Sequence, residues 1–379
     1  MTREAGSGQS ALSQAEAFAR IRLLRSPRIG PVTFAQLLAR YGSGEGAVEA
    51  LPNLAKAGGG HHTLAKEDAV RREVDAVKRH GARYLFHDQP DYPQALAACE
   101  GAPPIITFRG DLSLASRPVV AMVGARNASA AAVKLAREFA QALSAEGFVV
   151  VSGLARGIDG AAHEGALPQT IGVIASGIEI AYPPQHAALQ ERIATEGLLI
   201  AEQPPGTEPR GSHFPSRNRI IAGLALGTLV VEAAVKSGSL ITARLAGEYG
   251  REVMAIPGSP LDARSHGCNH LIREGAVLVQ GAEDIAELLD SFTGAPRSRF
   301  REETPVFAHL PREEETEGPG EGNDEPAADI AALISAAPVS VDELIRTSGA
   351  APAAVQLALL EMELAGRIQR HAGGRVSLA

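Results

Sequence analysis

Short apolar runs alternate with longer amphipathic stretches between residues 118 and 289. The runs are VVAMV, FVVVS, TIGVIA, LLIA, TLVVEA, EVMAI and AVLVQ. They are apolar almost throughout and do not alternate with polar residues, which is typical of strands covered by helices on both faces. Because strand and helix patterns follow one another in turn, the sequence predicts an α/β fold with a parallel-rich, doubly wound, Rossmann-like sheet.

Other patterns flank this region. Residues 12–98 have apolar positions three and four apart, which predicts an N-terminal helical domain over 11–98, followed by the Rossmann-like domain over 99–293. Between Glu302 and Glu325 nine acidic residues and one basic residue stand among prolines and glycines, and this predicts a solvated linker over 294–326. Residues 327–379 have the pattern of helices, a turn and a glycine-containing hairpin, and predict a winged-helix domain.

Charge and composition narrow the possible functions. The 379 residues include 36 Lys and Arg against 44 Asp and Glu, a formal net charge of -8, so bulk charge does not hold this chain to DNA and any such binding needs a local basic patch. The two cysteines are too few for a disulfide framework, and neither a signal pattern nor a membrane-spanning run is visible. These features predict a cytoplasmic protein without membrane contact.

The candidate chemistry lies in turns that follow the predicted strands. In a doubly wound sheet such turns feed helix N-termini at one edge, where anions bind. The segment VGARNAS has a glycine, a cation and a capping hydroxyl, while SGLARGIDG exposes backbone amides in the manner of an anion nest. The alternatives are an ordinary turn with a surface arginine, and a structural pair of Arg156 with Asp159. The candidates in these two turns are Gly124, Arg126, Ser129, Gly153, Arg156 and Gly157.

Two later segments add further cations. HFPSRNRIIAG places two arginines and an amide at the start of an otherwise apolar helix, and EAAVKSGSLIT places a lysine, two hydroxyls and a glycine after a strand. A serine-capped helix with a solvated lysine is the alternative for the second. The candidates here are Arg217, Asn218, Arg219, Lys236, Ser237, Gly238 and Ser239. Together the four turns predict a positive strip suited to a string of phosphates, and thus a nucleic-acid groove largely indifferent to sequence.

The sequence shows no catalytic constellation. It lacks G-x-G-x-x-G, the P-loop pattern and the G-x-S-x-G elbow. His266, Cys268 and His270 form a weak metal pattern, better explained by a loop that packs Cys268 under the sheet. We therefore predict no catalytic residue, cofactor or metal. The alternative is a Rossmann-like nucleotide phosphoribohydrolase that would use Arg219 and Glu232.

The order of these motifs resembles the DNA-processing protein A family (DprA/Smf). VGARNAS, SGLARGIDGAAH, YPPQH, HFPSRNRIIAGL, KSGSLITARLAGEYGREVMAIPGSP and GCNHLIREGA run in that family's order over nearly the whole chain. The resemblance implies a non-enzymatic protein that binds single-stranded DNA during natural transformation, protects it and loads RecA recombinase, acting as a homodimer through the Rossmann-like domain. It also implies that Arg126 and Lys236 grip the strand. His186 stands in YPPQH where the family usually has asparagine. Gln203 follows Ala201-Glu202, where the family often has Ser-Glu.

The flanking domains carry weaker signals. Residues 28–33, RIGPVT, resemble the hairpin of SAM/helix-hairpin-helix modules, whose amides contact a DNA phosphate; a tight helix–helix turn is the alternative. The candidate recognition helix, 351–365, offers only Gln356 to a base, while Glu361 and Glu363 oppose phosphate. The arginines of the winged helix belong to the hairpin after it. This pattern disfavours a transcription regulator and favours a protein-interaction module, or one that contacts DNA only through its wing. The hairpin arginines are Arg367, Arg370 and Arg375.

Overall fold

The computed structural model describes residues 12–57, 63–290, 330–331, 333–335, 338–371 and 373–379. These residues form two compact units, one within Arg71–Arg297 and one that combines residues from Leu12–Val70 and Ser298–Ala379. The predicted acidic linker lies outside the described residues. The domain boundaries inferred from the sequence stay predictions.

The larger unit is built on a nine-stranded sheet with the order β1-β2-β6-β5-β4-β3-β7-β8-β9. Pairing is antiparallel from β1 to β2 and from β2 to β6, and parallel in every other pair. The strands are β1 Arg83–Phe86, β2 Ile105–Gly110, β3 Val119–Val123, β4 Val149–Ser152, β5 Thr170–Gly177, β6 Leu198–Gln203, β7 Gly227–Val230, β8 Glu252–Ala255 and β9 Val277–Leu278.

Helices connect these strands and build the second unit. Among the described residues they are α1 Gln14–Leu24, α2 Pro31–Tyr41, α3 Gly44–Ala57, α4 Glu67–Arg79, α5 Gln94–Ala97, α6 Ala130–Ala145, α7 Ile158–Ala166, α8 Ala187–Glu196, α9 His213–Leu224, α10 Ser239–Glu248, α11 His266–Arg273, α12 Ala282–Asp290, α13 Val341–Ser348 and α14 Pro352–Leu364. None of the helices in these ranges is long and apolar enough to cross a membrane.

The sheet is covered on both faces, as the apolar runs predict. All five residues of β3 are buried. Val119, Ala121 and Val123 pack on one face with residues of α9 and α10, whereas Val120 and Met122 pack on the other face with α6, α7 and α12. The predicted α/β, doubly wound fold is confirmed.

The order of the strands creates a crevice beside β3. From β3 the chain adds β4, β5 and β6 in sequence on one side, and after α9 it returns to β7 on the other side of β3. In open α/β sheets ligands bind at such a switch point, outside the carboxyl ends of the strands. The turns after β3 and β7 meet there.

One expectation about secondary structure is wrong at its end. The sequence predicts helix through residue 98, but Arg83–Phe86 is a strand that pairs with β2 and belongs to the sheet. The run RYLF is too short for its period to distinguish strand from helix, and its pairing partner lies beyond residue 104.

The second unit contains α1, α2, α3 and a winged helix. The strands β10 Val339–Ser340, β11 Ile368–His371 and β12 Arg375–Leu378 form an antiparallel sheet in the order β10-β12-β11. Gly349, with φ 63°, ends α13 in the left-handed region, and Gly373 and Gly374 make the predicted hairpin turn with φ 76° and 63°. The winged-helix prediction is confirmed.

Candidate nucleic-acid interface

A cavity of about 680 Å³ opens at the switch point between β3 and β7. It is lined by the turn after β3, the start of α9 and the turn before α10, with contributions from the turns after β4 and β8. The charged side chains in its lining are Arg126, Asp159, Arg217, Lys236 and Arg264. Four cations and one carboxylate make this cavity positive within an acidic chain.

Glycines allow the turns after β3 and β4 to approach one another. A Cβ on Gly124 would lie 2.5 Å from Cγ1 of Ile158, the first residue of α7, and 3.0 Å from the backbone oxygen of Glu232. Gly157 has φ 76°, and its Cβ would lie 2.3 Å from the backbone oxygen of Ala125. Larger residues at these positions would push the turns apart, so the glycines fix the shape of the cavity wall.

Ser129 and Glu232 connect the turns that follow β3 and β7. The Ser129 hydroxyl donates to Glu232 Oε2 at 2.7 Å, and its backbone N–H donates to Oε1 at 3.1 Å. The same hydroxyl caps α6 by accepting from the Ala132 N–H at 3.1 Å. Ser129 and Glu232 are outside the cavity lining, so their role in the structure is to hold the two turns together.

Arg217 lies beneath the cavity in an ion pair with Asp159. Nη1 of Arg217 is 3.8 Å from Asp159 Oδ2, and the two side chains are 7% and 8% exposed. Burial raises the pKa of the Asp159 carboxyl, and the nearby guanidinium of Arg217 opposes that effect. The Nε of Arg217 is buried without a hydrogen-bond partner among the described residues. The predicted structural pair of Arg156 with Asp159 is replaced by this one.

The aromatic ring of Phe214 lines the cavity, and the ring of Tyr182 lies beside it. The Phe214 and Tyr182 ring centroids are 5.8 Å apart, and Tyr182 is 46% exposed. The guanidinium carbons of Arg126 and Arg217 lie 5.1 Å and 5.9 Å from the Phe214 centroid. Phe214 is one of only 10 phenylalanines, and its place just before an arginine-rich helix segment is the signal that could have identified it.

Small polar groups complete the opposite wall. Lys236 is exposed, and Ser237 and Ser239 are joined through their hydroxyls at 2.7 Å at the start of α10. The Asn218 amide nitrogen donates to the backbone oxygen of Gly238 at 3.4 Å, which ties α9 to this turn. The first turn of neither α9 nor α10 contains an acidic residue, so both helix N-termini add to the positive potential.

The structure gathers most, but not all, of the predicted site residues. Those in the cavity lining are Gly124, Arg126, Arg217, Asn218, Lys236, Ser237, Gly238 and Ser239. Those outside it are Ser129, Gly153, Arg156, Gly157 and Arg219.

The residues outside the lining have distinct surroundings. Gly153 lies directly under the Arg217 guanidinium, where a Cβ would be 1.1 Å from Nη1. Arg219 bonds the Glu202 carboxylate and the backbone oxygen of Gly101, so its charge is compensated away from the cavity. Arg156 is exposed beside the cavity. Sequence reasoning also missed Arg264, which lines the cavity and pairs with Asp262 at 2.8 Å.

The weak metal pattern has a structural explanation. Cys268 is fully buried in α11 and donates to the backbone oxygen of Val230 at 3.6 Å, while His266 contacts the backbone oxygen of Pro260 at 2.8 Å. Cys268 therefore packs under the sheet as expected, from a helix and not from a loop. Within the described residues, no group of three or more His, Cys, Asp or Glu side chains is placed to hold a metal ion.

Comparison with known families gives this site its context. The sequence model described as DNA recombination-mediator protein A matches residues 83–290, more than half of the chain and all the strands of the larger sheet. The chain belongs to this family. Two further models flank that match: a DprA-like N-terminal HHH domain over 14–76 and a DprA winged helix domain over 314–374. The suspected resemblance to the DprA/Smf family is thereby confirmed.

Relatives within the DprA/Smf family cover most of the chain. Protein Smf of Synechocystis is 32% identical over 377 residues, which is 92% of this chain and 95% of that protein. The DNA processing protein DprA of Streptococcus pneumoniae is 47% identical over 197 residues, 51% of this chain and 70% of that protein.

Two solved DprA structures resemble this one. Streptococcus pneumoniae DprA aligns with a TM-score of 0.60 and 35% identity, covering 73% of this chain and 98% of that chain. Helicobacter pylori DNA processing protein A, described for its single-stranded DNA binding mode, aligns with a TM-score of 0.51 and 30% identity over 55% of this chain and 97% of that chain.

Proposed function

We propose that the cavity at the β3–β7 switch point binds single-stranded DNA without reading its sequence. The observation that carries the proposal is that Arg126, Arg217 and Lys236, from three separate chain segments, line the same cavity. Helix N-termini, backbone amides and the Ser237 and Ser239 hydroxyls surround them with further donors suited to phosphodiesters. The Helicobacter pylori relative, described as binding single-stranded DNA, supports the same ligand.

A base contact accompanies the phosphate contacts in this proposal. Phe214 faces the cavity with Arg126 beside its ring, and Tyr182 is exposed next to it. An unpaired base stacks on such a ring whatever its identity, whereas a paired base is unavailable for stacking. The aromatic pair therefore favours single strands over duplexes without favouring a sequence.

The cellular role follows from membership of the recombination-mediator family. We propose that the protein shields incoming single strands in the cytoplasm and loads RecA recombinase on them in natural transformation and homologous recombination. It acts in this proposal as a homodimer through the Rossmann-like unit, without enzymatic activity.

The surroundings of Glu232 and Arg219 argue against the phosphoribohydrolase alternative. That enzyme would need Glu232 and Arg219 in one site, but Glu232 accepts from Ser129 through both carboxylate oxygens and Arg219 pairs with Glu202. Neither residue lines the cavity. Release of a free base from nucleoside monophosphates by the purified protein would restore this alternative.

Fluorescence anisotropy with labelled oligonucleotides tests the binding proposal. We expect tighter binding to single strands than to duplexes of equal length, and similar affinity for mixed, thymine-only and adenine-only strands. Arg126→Ala and Lys236→Ala should each weaken binding to all strands by roughly tenfold, since one charge-assisted contact contributes about 1.5 kcal/mol.

A matched control separates local contacts from net charge. Lys134→Ala removes one positive charge from α6, where the Lys134 side chain is 76% exposed and outside the cavity lining. Its affinity should equal that of the wild type. Equal losses in the Lys134, Arg126 and Lys236 variants would contradict the proposed site.

A further inference from the structure

Helix α14, the recognition helix of the winged helix, is apolar on two opposite faces. Val355, Leu359 and Met362 pack into the core of the winged helix. Leu360 and Leu364 are 3% and 0% exposed, although they are not among the described residues that form that core. At roughly 100° per residue these two leucines lie about 140° and 180° around the helix from Val355. A helix that buries apolar residues on two opposite faces packs against a second element as well as its own core.

The second element is the N-terminal helical hairpin of the same compact unit. Helix α3 packs against α14, and α2 contributes polar contacts to it. Nε2 of Gln36 donates to Oε1 of Gln356 at 3.3 Å, and the Thr33 hydroxyl donates to Oε2 of Glu363 at 3.2 Å. Thr33 and Gln36 are three residues apart on α2 and therefore lie on one face of it.

Charge complements the apolar contact. Glu363 is 15% exposed and also accepts from Arg370 Nε at 2.9 Å. Burial raises the pKa of Glu361, and the nearby Arg40 of α2 opposes that effect. Glu363 therefore faces a hydroxyl group and a guanidinium of the protein, and the nearby charge of Arg40 acts on Glu361, so the charges of both acids are partly compensated within the chain.

This arrangement covers both the candidate recognition helix and the candidate helix-hairpin-helix turn. A major groove about 12 Å wide admits a bare helix, and α14 is covered on the face opposite its own core. The Thr33 hydroxyl of the candidate helix-hairpin-helix turn is bonded to Glu363, and a Cβ on Gly366 would lie 2.0 Å from Nη1 of Arg28. The candidate helix-hairpin-helix turn and the recognition helix α14 therefore contact each other at the surfaces that would otherwise face DNA.

We propose that the outer face of α14 is an interaction surface whose partner is the α2–α3 hairpin of the same chain, and that α14 does not read duplex DNA. The winged helix is then fixed to the N-terminal helices as one module. This proposal is independent of the single-strand site in the other unit.

Cysteine cross-linking in the full-length chain tests the contact. Gln36→Cys combined with Gln356→Cys, treated with a short bis-maleimide, should give an intramolecular link in most molecules, identified by mass spectrometry of the joined peptides. Gln36→Cys combined with Glu343→Cys, an exposed position on α13, is the control pair and should link far less. The native Cys99 and Cys268 are buried, and the two single variants measure any background from them.

The outcomes separate the proposal from its competitors. A link between two chains would assign the surface to a second copy and overturn the proposal. Absence of a link, when both single cysteines accept a monofunctional maleimide, would overturn it as well.

A second experiment addresses DNA directly. Gln356→Ala removes the one amide side chain of α14, so duplex affinity of the full-length protein should stay within about twofold of wild type if α14 does not read DNA. A loss of tenfold or more would show that α14 reads DNA and would overturn the proposal.

The charge contact has its own test in the cross-linking assay. Arg40→Glu, introduced into the double-cysteine variant, should lower the yield of the link between α2 and α14. Adding Glu361→Arg should restore that yield, since the pair then attracts again with its signs exchanged. No change in either variant would contradict the assigned charge contact.

Discussion

At the scale of single residues, the partner of a side chain decides its role more than its type does. Arg217 and Arg219 are two residues apart on α9, yet Arg217 pairs with Asp159 in the cavity lining and Arg219 pairs with Glu202 outside it. Both acids are distant along the chain, so the sequence could not separate the two arginines. The aromatic pair of Phe214 and Tyr182 is likewise formed only by the fold.

Gly153→Ala tests the support of Arg217. Its new Cβ would occupy the position of the Arg217 guanidinium, which must leave Asp159 and the cavity floor. We expect a loss of about 1–3 kcal/mol in the free energy of unfolding, together with weaker single-strand binding. Gly211→Ala is the matched control, because a Cβ there meets nothing within 4 Å. Equal stability of the two variants in urea unfolding would contradict the assigned contact.

His163 gives the larger unit a defined acid sensitivity. Burial lowers its pKa from 6.5 to about 3, with smaller contributions from His186 and Arg217. Its Nδ1 lies 2.7 Å from the Thr170 hydroxyl, which donates to the backbone oxygen of Val150. Because the pKa of His163 is lower in the folded chain, between pH 6.5 and about 3 His163 is protonated in the unfolded chain and neutral in the folded chain. The free energy of unfolding therefore keeps its full value above pH 6.5 and decreases as the pH falls below 6.5.

The expected loss is about 1.4 kcal/mol per pH unit, or roughly 3 kcal/mol between about pH 6.5 and 4.5. His163→Gln keeps a hydrogen-bonding partner for Thr170 but does not titrate, so its urea midpoint should depend less on pH over this range. The same pH dependence in both proteins would show that His163 does not carry the effect.

At the scale of elements, the apolar runs predict the sheet because the residues of the central strands β3, β4, β5 and β7 are all buried and therefore apolar or small. All seven predicted runs are strands, and the turns after β3 and β7 meet because parallel strands end at the same edge. The strands β1 and β2 are not among the predicted runs, and the short edge strand β1 is defined only by its pairing with β2. The acidic residues of α14 argue against DNA reading, but the covering by α2 and α3 depends on tertiary contacts that one sequence does not display.

Deletion of the winged helix tests whether the larger unit alone binds single-stranded DNA. Every residue that lines the cavity belongs to the larger unit. Deleting residues 327–379 should therefore change single-strand affinity by less than about threefold, because none of the deleted residues lines the cavity. A loss beyond about tenfold would place part of the strand-binding surface in the winged helix.

At the scale of the whole molecule, a cavity with a positive lining lies within a chain that is acidic as a whole. The net charge of -8 coexists with a lining in which four cations face one carboxylate. Fold and family could be recognised from the motifs, because those motifs are the turns that shape the switch point. The proposed DNA role rests on their convergence.

The salt dependence of single-strand affinity tests most directly whether Arg126 and Lys236 bind phosphates in the same cavity. Each phosphate neutralised contributes about 0.7 to the slope of log affinity against log salt concentration, so Arg126→Ala combined with Lys236→Ala should lower the slope by about 1.4. We predict this flatter slope on every strand sequence. An unchanged slope, with affinity lost on some sequences and kept on others, would contradict phosphate binding by these two residues.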